Sequence, residues 1–432
     1  MKTAARLLIA AALLVPAAAP AQQAIPVIAV PPLTTPDDRP TGTGTTTLGI
    51  AWQASQLIAN DLRSTAEVMA IPPEQKDYYS YPEVTAPTYS RWRARGAKAL
   101  LTGFIRAQPD GRLAVGCYVY DVERGRELGR TGFAVDADDW RRAAHKCSGL
   151  AYQALVGVPG IFDARIAYVA ASGTGAAQVK RVAVMDSDGF NHSYVTPGGT
   201  TALTPRLSPR GDRLAFVSYL GGVPHIRIVD LSSGDQRPLL PNNSAMSFAP
   251  RYSPDGSRIV FSLTNGGNTD VYVVNSTGGF PQRLTTSPGI DTDPSFSPDG
   301  SRIVFESDRS GTQQLYVMNS DGSSQRRVSF GGGWYASPEW SPDGEKITFT
   351  RRGSDGLRIG VMNADGSDAR VLTSGPRDES PSWGPSSREL IFQRTDANGR
   401  SGIYRLSLSG GEPRKVLVPQ DGADPDWSGV RE

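Results

Sequence analysis

A Pro-x-aromatic-Ser-Pro-like step recurs six times in this chain, with its first prolines at Pro205, Pro250, Pro294, Pro338, Pro381 and Pro425. These prolines are 45, 44, 44, 43 and 44 residues apart. A strand-rich repeat of about 40–45 residues marks a β-propeller, whose blades bury their faces only by stacking on one another. The spacing therefore limits the fold before any single residue is considered.

One repeat shows how the step works. It reads Pro294-Ser295-Phe296-Ser297-Pro298-Asp299-Gly300, then Ile303-Val304-Phe305, then Leu315-Tyr316-Val317-Met318, and ends near Arg327-Val328-Ser329. Pro298 presets φ for a type I turn, Ser297 accepts a local hydrogen bond, and Gly300 closes the turn. The Ile303-Val304-Phe305 run has apolar residues at adjacent positions, so both strand faces must be covered, as stacked blades would cover them. Equivalent runs are Leu214-Ala215-Phe216, Ile259-Val260-Phe261, Ile347-Thr348-Phe349 and Leu390-Ile391-Phe392. Asp365-Gly366 and Gly410-Gly411 suit hairpin turns that need positive φ.

The phase of the repeats at the two ends predicts how the ring closes. After Phe162 the chain enters a repeat late, with residues 165–169 matching a second strand and residues 182–186 a third. At the other end, Ala423-Asp424-Pro425-Asp426-Trp427-Ser428 is a first strand with nothing after it. Residues 423–428 are expected to complete the first blade and leave no free sheet edge. The predicted fold is mainly β: a six-bladed β-propeller over residues 163–432, preceded by a small α/β domain over 22–156 and a linker over 157–162.

Lys2 and Arg6, an apolar run from Leu7 to Ala18 and then Ala19-Pro20-Ala21 have the layout of a secretory signal peptide over residues 1–21. The expected compartment is the periplasm. Two of the 45 Lys and Arg residues fall in that leader, so the rest match the 43 Asp and Glu. A neutral chain without a basic face does not read as a nucleic-acid binder, and a monomer is expected. Cys117 and Cys147 are the only cysteines, and both precede the repeats. An oxidising compartment allows them to pair, the alternative being two buried free thiols.

In the N-terminal domain, Ile28-Ala29-Val30, Val68 to Ile71, Ala99 to Arg106, Leu113 to Val122 and Glu127 to Val135 read as strands. Ile50, Ala54, Leu57, Ile58 and Leu62 fall at helical spacing, and a last helix carries Trp140, Ala144, Leu150 and Leu155, with Asp138 as its expected cap. The short linker Gly157-Val158-Pro159-Gly160 implies that the two domains touch.

Few residues offer catalytic chemistry. His145, His192 and His225 are the only histidines and show no metal-ligand spacing; no Gly-x-Ser-x-Gly elbow occurs. No catalytic residue and no metal ligand is assigned, and no cofactor is expected. Residues just before the repeated prolines enter the innermost strands. Convergence of Asp291, Asp293, Asp378 and Glu379 would make one mouth of the channel negative, suited to a basic partner element or a cation such as calcium. Trp334 and Tyr335 add aromatic surface there.

The chain resembles the TolB family, the periplasmic component of the Tol-Pal envelope system. The resemblance rests on the leader, the Gln56-Leu57-Ile58-Ala59-Asn60-Asp61-Leu62 segment and six repeats built around Ser-Pro-Asp-Gly. It implies a non-enzymatic scaffold that binds the lipoprotein Pal at a propeller mouth and supports outer-membrane integrity and constriction during division. The family's Pal-contact positions fall on Met246, Ala249, Thr292 and Asp293; Met246 stands where a histidine is familiar. Asp291, Tyr335, Asp378 and Glu379 complete the expected partner face. The resemblance also implies contact with TolA through Gln22, Gln23, Ala24 and Ile25, although better-known members carry a longer extension there. The alternative reading is a periplasmic glycan-binding propeller or sugar lyase.

Overall fold

The computed structural model describes residues 25–431 apart from 66, 174, 176, 177, 242 and 243. The leader over 1–21 and the segment Gln22, Gln23 and Ala24 lie outside the described residues.

The N-terminal domain comprises β1 (Val27–Ala29), α1 (Thr47–Ser64), β2 (Met69–Ile71), a short α2 (Tyr89–Arg93), β3 (Ala99–Ala107), β4 (Leu113–Asp121), β5 (Arg126–Val135) and α3 (Trp140–Val156). Its sheet order is β2-β1-β3-β4-β5, with β1 parallel to both neighbours and β3, β4 and β5 antiparallel. α1 starts where the Thr46 side chain accepts the N–H of Gly49, and its predicted apolar stripe of Ile50, Ala54, Leu57, Ile58 and Leu62 is buried. The predicted Asp138 cap does not form. Residues Ala137–Asp139 make a tight turn, so Asp139 precedes the first turn of α3 and no side chain caps it. Gly157, at φ 84°, ends that helix in a left-handed conformation that glycine adopts without a Cβ clash. Cys117 on β4 and Cys147 on α3 form a disulfide with Cα atoms 5.8 Å apart, which decides between the two sequence alternatives.

Among the described residues the rest of the chain forms six four-stranded antiparallel sheets. These are the blades, numbered here in chain order of their second strands. Each second strand is buried on both faces, as the continuous apolar runs predicted. Tyr168, Phe216, Phe261, Phe305, Phe349 and Phe392 place one aromatic residue in the second strand of each blade, largely or wholly removed from water. The strand Asp421–Trp427 pairs with Arg165–Ser172 and becomes the innermost strand of blade 1, so the last strand closes the ring.

Because strands alternate in direction, each blade puts its Ser-Pro-Asp-Gly-type turn at one end and its crossover to the next blade at the other. In the turn of blade 4, the Ser297 hydroxyl bonds Asp299 at 2.5 Å, and the Gly300 N–H donates to the Ser297 carbonyl at 2.8 Å. The N-terminal domain sits on this turn end. Tyr152 and Phe162 share a core with Ile391, Ile403 and Trp427, and Arg388 of blade 6 pairs with Glu67 at 2.5 Å. The crossover end is left open.

Candidate functional site

The site grows from one backbone device repeated in every blade. The residues before the repeated prolines, Thr204, Ala249, Asp293, Ser337, Ser380 and Asp424, all have φ between 44° and 54°, and none is glycine. Non-glycine residues pay about 1–3 kcal/mol for such a conformation, and a following proline disfavours helical geometry further. The strand register slips at the same step in all six blades. This bulge bends each innermost strand and re-aims the side chains on either side of the proline.

The residues after the prolines meet across the axis. Arg251 of blade 3 contacts Glu339 of blade 5 at 2.7 Å and Asp426 of blade 1 at 3.0 Å, and Arg206 of blade 2 lies 3.9 Å from Asp426. Blade 3 neighbours neither blade 1 nor blade 5, so these pairs span the channel. Burial opposes a charge on Arg251, but Glu339 and Asp426 outweigh it and raise its pKa. The Asp426 carboxylate also accepts the Leu207 N–H at 2.7 Å, and Glu339 accepts the Trp383 N–H at 3.0 Å. Losing one partner of such a buried pair typically costs about 3–5 kcal/mol.

Above this brace, at the crossover end, lies a cavity of about 450 Å³. Ala249, Thr292, Asp293 and Glu306 form one side, while Leu203, Val217, Tyr219 and Phe248 contribute apolar wall. Leu220, Met246, Ile290 and Phe330 are exposed on the loops of the same end, and Trp334 is exposed at the start of the innermost strand of blade 5. Isolated exposed apolar residues mean little, but several on one end around a cavity suit a protein interface. A groove of similar size lies among the turns of blades 2 and 3 and another at the domain junction, and neither gathers the residues singled out in the sequence. Among the described residues no group of three or more His, Cys, Asp or Glu side chains is placed to hold a metal ion.

The family described as the TolB beta propeller domain matches residues 152–431, and the TolB amino-terminal domain matches residues 19–128. A Tol-Pal system protein TolB from Roseobacter denitrificans is 52% identical over 383 residues, covering 88% of this chain and 86% of that protein. The chain belongs to the TolB family. The TolB of Zymomonas mobilis is 48% identical over 212 residues, 49% of this chain and 46% of its own length; alignments with several such relatives span about half of each partner. The crystal structure of TolB from Acinetobacter baumannii superposes with a TM-score of 0.77 at 26% identity, covering 94% of this chain and 97% of that one.

Of the TolB contact positions anticipated from sequence, Ala249, Thr292 and Asp293 line the cavity together, and Met246 stands exposed on the loop leading into blade 3. The expected convergence of four acids does not occur. Asp291 and Asp378 are fully buried inside their own blades, bound to Arg309 at 2.8 Å and to Arg394 at 2.6 Å. Glu379 is tied to Arg377 and Gln393, both at 3.1 Å. Tyr335 is also internal: its ring packs on Phe349 and its hydroxyl donates to the Phe330 carbonyl at 3.0 Å. Trp334 carries the exposed aromatic surface instead, under the Arg352 guanidinium. Ile25 is exposed before β1.

Glu306 was missed in the sequence, though a signal exists. It follows the Ile303-Val304-Phe305 run at a position where the other blades carry Val169, Val217, Ser262, Thr350 and Gln393, and it alone is ionisable.

Proposed function

We propose that this TolB family member is a non-enzymatic periplasmic scaffold of the Tol-Pal system that binds the lipoprotein Pal at the open mouth of its propeller. In that role it supports outer-membrane integrity and constriction during division. The observation that carries this reading is the cavity in which Ala249, Thr292 and Asp293 meet, ringed by exposed apolar side chains at the end away from the N-terminal domain. The N-terminal domain packs on the turn end at blades 1 and 6, so the crossover end faces away from it and leaves the mouth free for a macromolecule. No helix among the described residues is long and apolar enough to cross a membrane. Contact with TolA through residues 22–25 belongs to the same reading.

The test is calorimetric titration of residues 22–432 with the soluble domain of Pal from the same source, alongside Asp293→Lys. Saturable binding by the wild type, lost in the variant, is expected. No binding by a well-folded wild type would overturn the reading.

A further inference from the structure

Glu306 exceeds what its place in the blade requires. At four of the six blade junctions, the residue after the second-strand aromatic accepts the N–H of the residue before the next proline; Val169 and Val217 have no acceptor for it. Ser262 does this for Asp293, Thr350 for Ser380 and Gln393 for Asp424, each at 3.2 Å, and Glu306 does it for Ser337. Three neutral side chains perform the task, so a backbone donor does not call for a charge. Yet Glu306 is only 4% exposed, and among the described residues no Lys or Arg donates to it.

The groups around Glu306 leave it without a counter-ion. Thr292 donates to it at 3.2 Å from the innermost strand, Gln313 from the loop above and Ser337 from blade 5. Asp293 and Tyr219 are the other titratable groups on the cavity wall. Arg206 and Arg251 lie in the brace below, engaged with Asp426 and Glu339. Burial, and then the charge of Asp293, push the Glu306 carboxyl up to about 8, only partly offset by its hydrogen bonds. At neutral pH burial and Asp293 therefore favour the protonated form of a carboxyl that faces a cavity of about 450 Å³. Leu203, Val217 and Phe248 give that cavity an apolar wall. A long aliphatic stem with a cationic tip satisfies both the wall and the two carboxyls.

We propose that the mouth cavity is a socket for a lysine or arginine side chain of the docking partner, whose charge displaces the Glu306 proton to solvent and pairs with Glu306 and Asp293. This rests on the reading of the mouth as the Pal-binding face. Binding then releases one proton, and affinity climbs with pH until Glu306 is already ionised in the free protein.

Calorimetry with the soluble Pal domain, in two buffers of different ionisation enthalpy, tests this for the wild type and Glu306→Gln. The glutamine keeps an oxygen for the Ser337 N–H and removes the proton. For the wild type, release of about one proton is expected near neutral pH, with affinity rising up to about tenfold per pH unit below the Glu306 titration and flattening above it. Glu306→Gln should bind without that release or slope, and about tenfold or more weakly at pH near 8.5, where the wild type has gained its ion pair. Equal proton release by both proteins, or none by the wild type, would sink the socket while leaving Pal as partner. Absence of binding by either protein at any pH would remove the partner reading and the socket with it.

Discussion

His145 lies buried between the two domains, with Nδ1 2.8 Å from Asp61 of α1 and Nε2 3.4 Å from Asp188 of blade 1. Ser148 donates to the same Asp61 oxygen at 2.6 Å, and Arg141 pairs with Asp188. Burial alone would lower the imidazole pKa, but the charges of Asp61 and Asp188 and their hydrogen bonds outweigh it and push it up to about 10. The unfolded value is near 6.5, so the stabilisation is complete below that pH and disappears as pH rises through about 10. His145→Gln should lose about 3–5 kcal/mol at neutral pH, because it strands buried Asp61 without its cation. Urea unfolding of both proteins across pH 7 to about 11 should show the gap closing toward the alkaline end. At this scale the sequence was only partly legible. Asp291 and Asp378 look like loop acids in one dimension, because their neutralising partners are remote in sequence: Arg309 follows the second strand of its blade and Arg394 lies near the end of that strand in blade 6. An arginine 16 to 18 residues downstream of the acid in both blades was the available clue.

Blades were far more legible, since their elements are dictated by contacts local in sequence. A strand covered on both sides writes itself as an unbroken apolar run, and turns betray themselves through proline, aspartate and glycine. The left-handed bulge was not legible, because Thr204, Ala249, Asp293, Ser337, Ser380 and Asp424 share no residue type that demands positive φ. Four of the six bulges gain a side-chain acceptor from the neighbouring blade for the N–H of the left-handed residue. Thr350→Val removes the acceptor of the Ser380 N–H while conserving shape. It should cost about 1–3 kcal/mol in urea unfolding, the usual penalty for a buried donor left unpaired. Val169 and Val217 already occupy the equivalent positions in two blades, so the fold itself should survive. An unchanged midpoint would mean that the bulge needs no such support.

For the molecule as a whole, closure depends on the final strand. Asp421–Trp427 supplies the innermost strand of blade 1, Asp426 to the cross-channel brace and Trp427 to the core shared with the N-terminal domain. Removing residues 421–432 exposes the edge of Arg165–Ser172 and strands Arg251 between fewer carboxylates. Such a protein should lose cooperative unfolding and bind a hydrophobic dye. The repeat phase made this closure readable from sequence. The domain junction was not, since Glu67 and Arg388 are remote in the chain and only the folded ring brings them together.

The Arg251, Glu339 and Asp426 brace makes the axis of the ring a blind hole rather than a tunnel. A peptide entering from the open end is stopped at that floor and cannot thread through to the N-terminal domain. Proteins held at opposite ends can therefore sense one another only through the walls, by a shift in how the blades lean against each other.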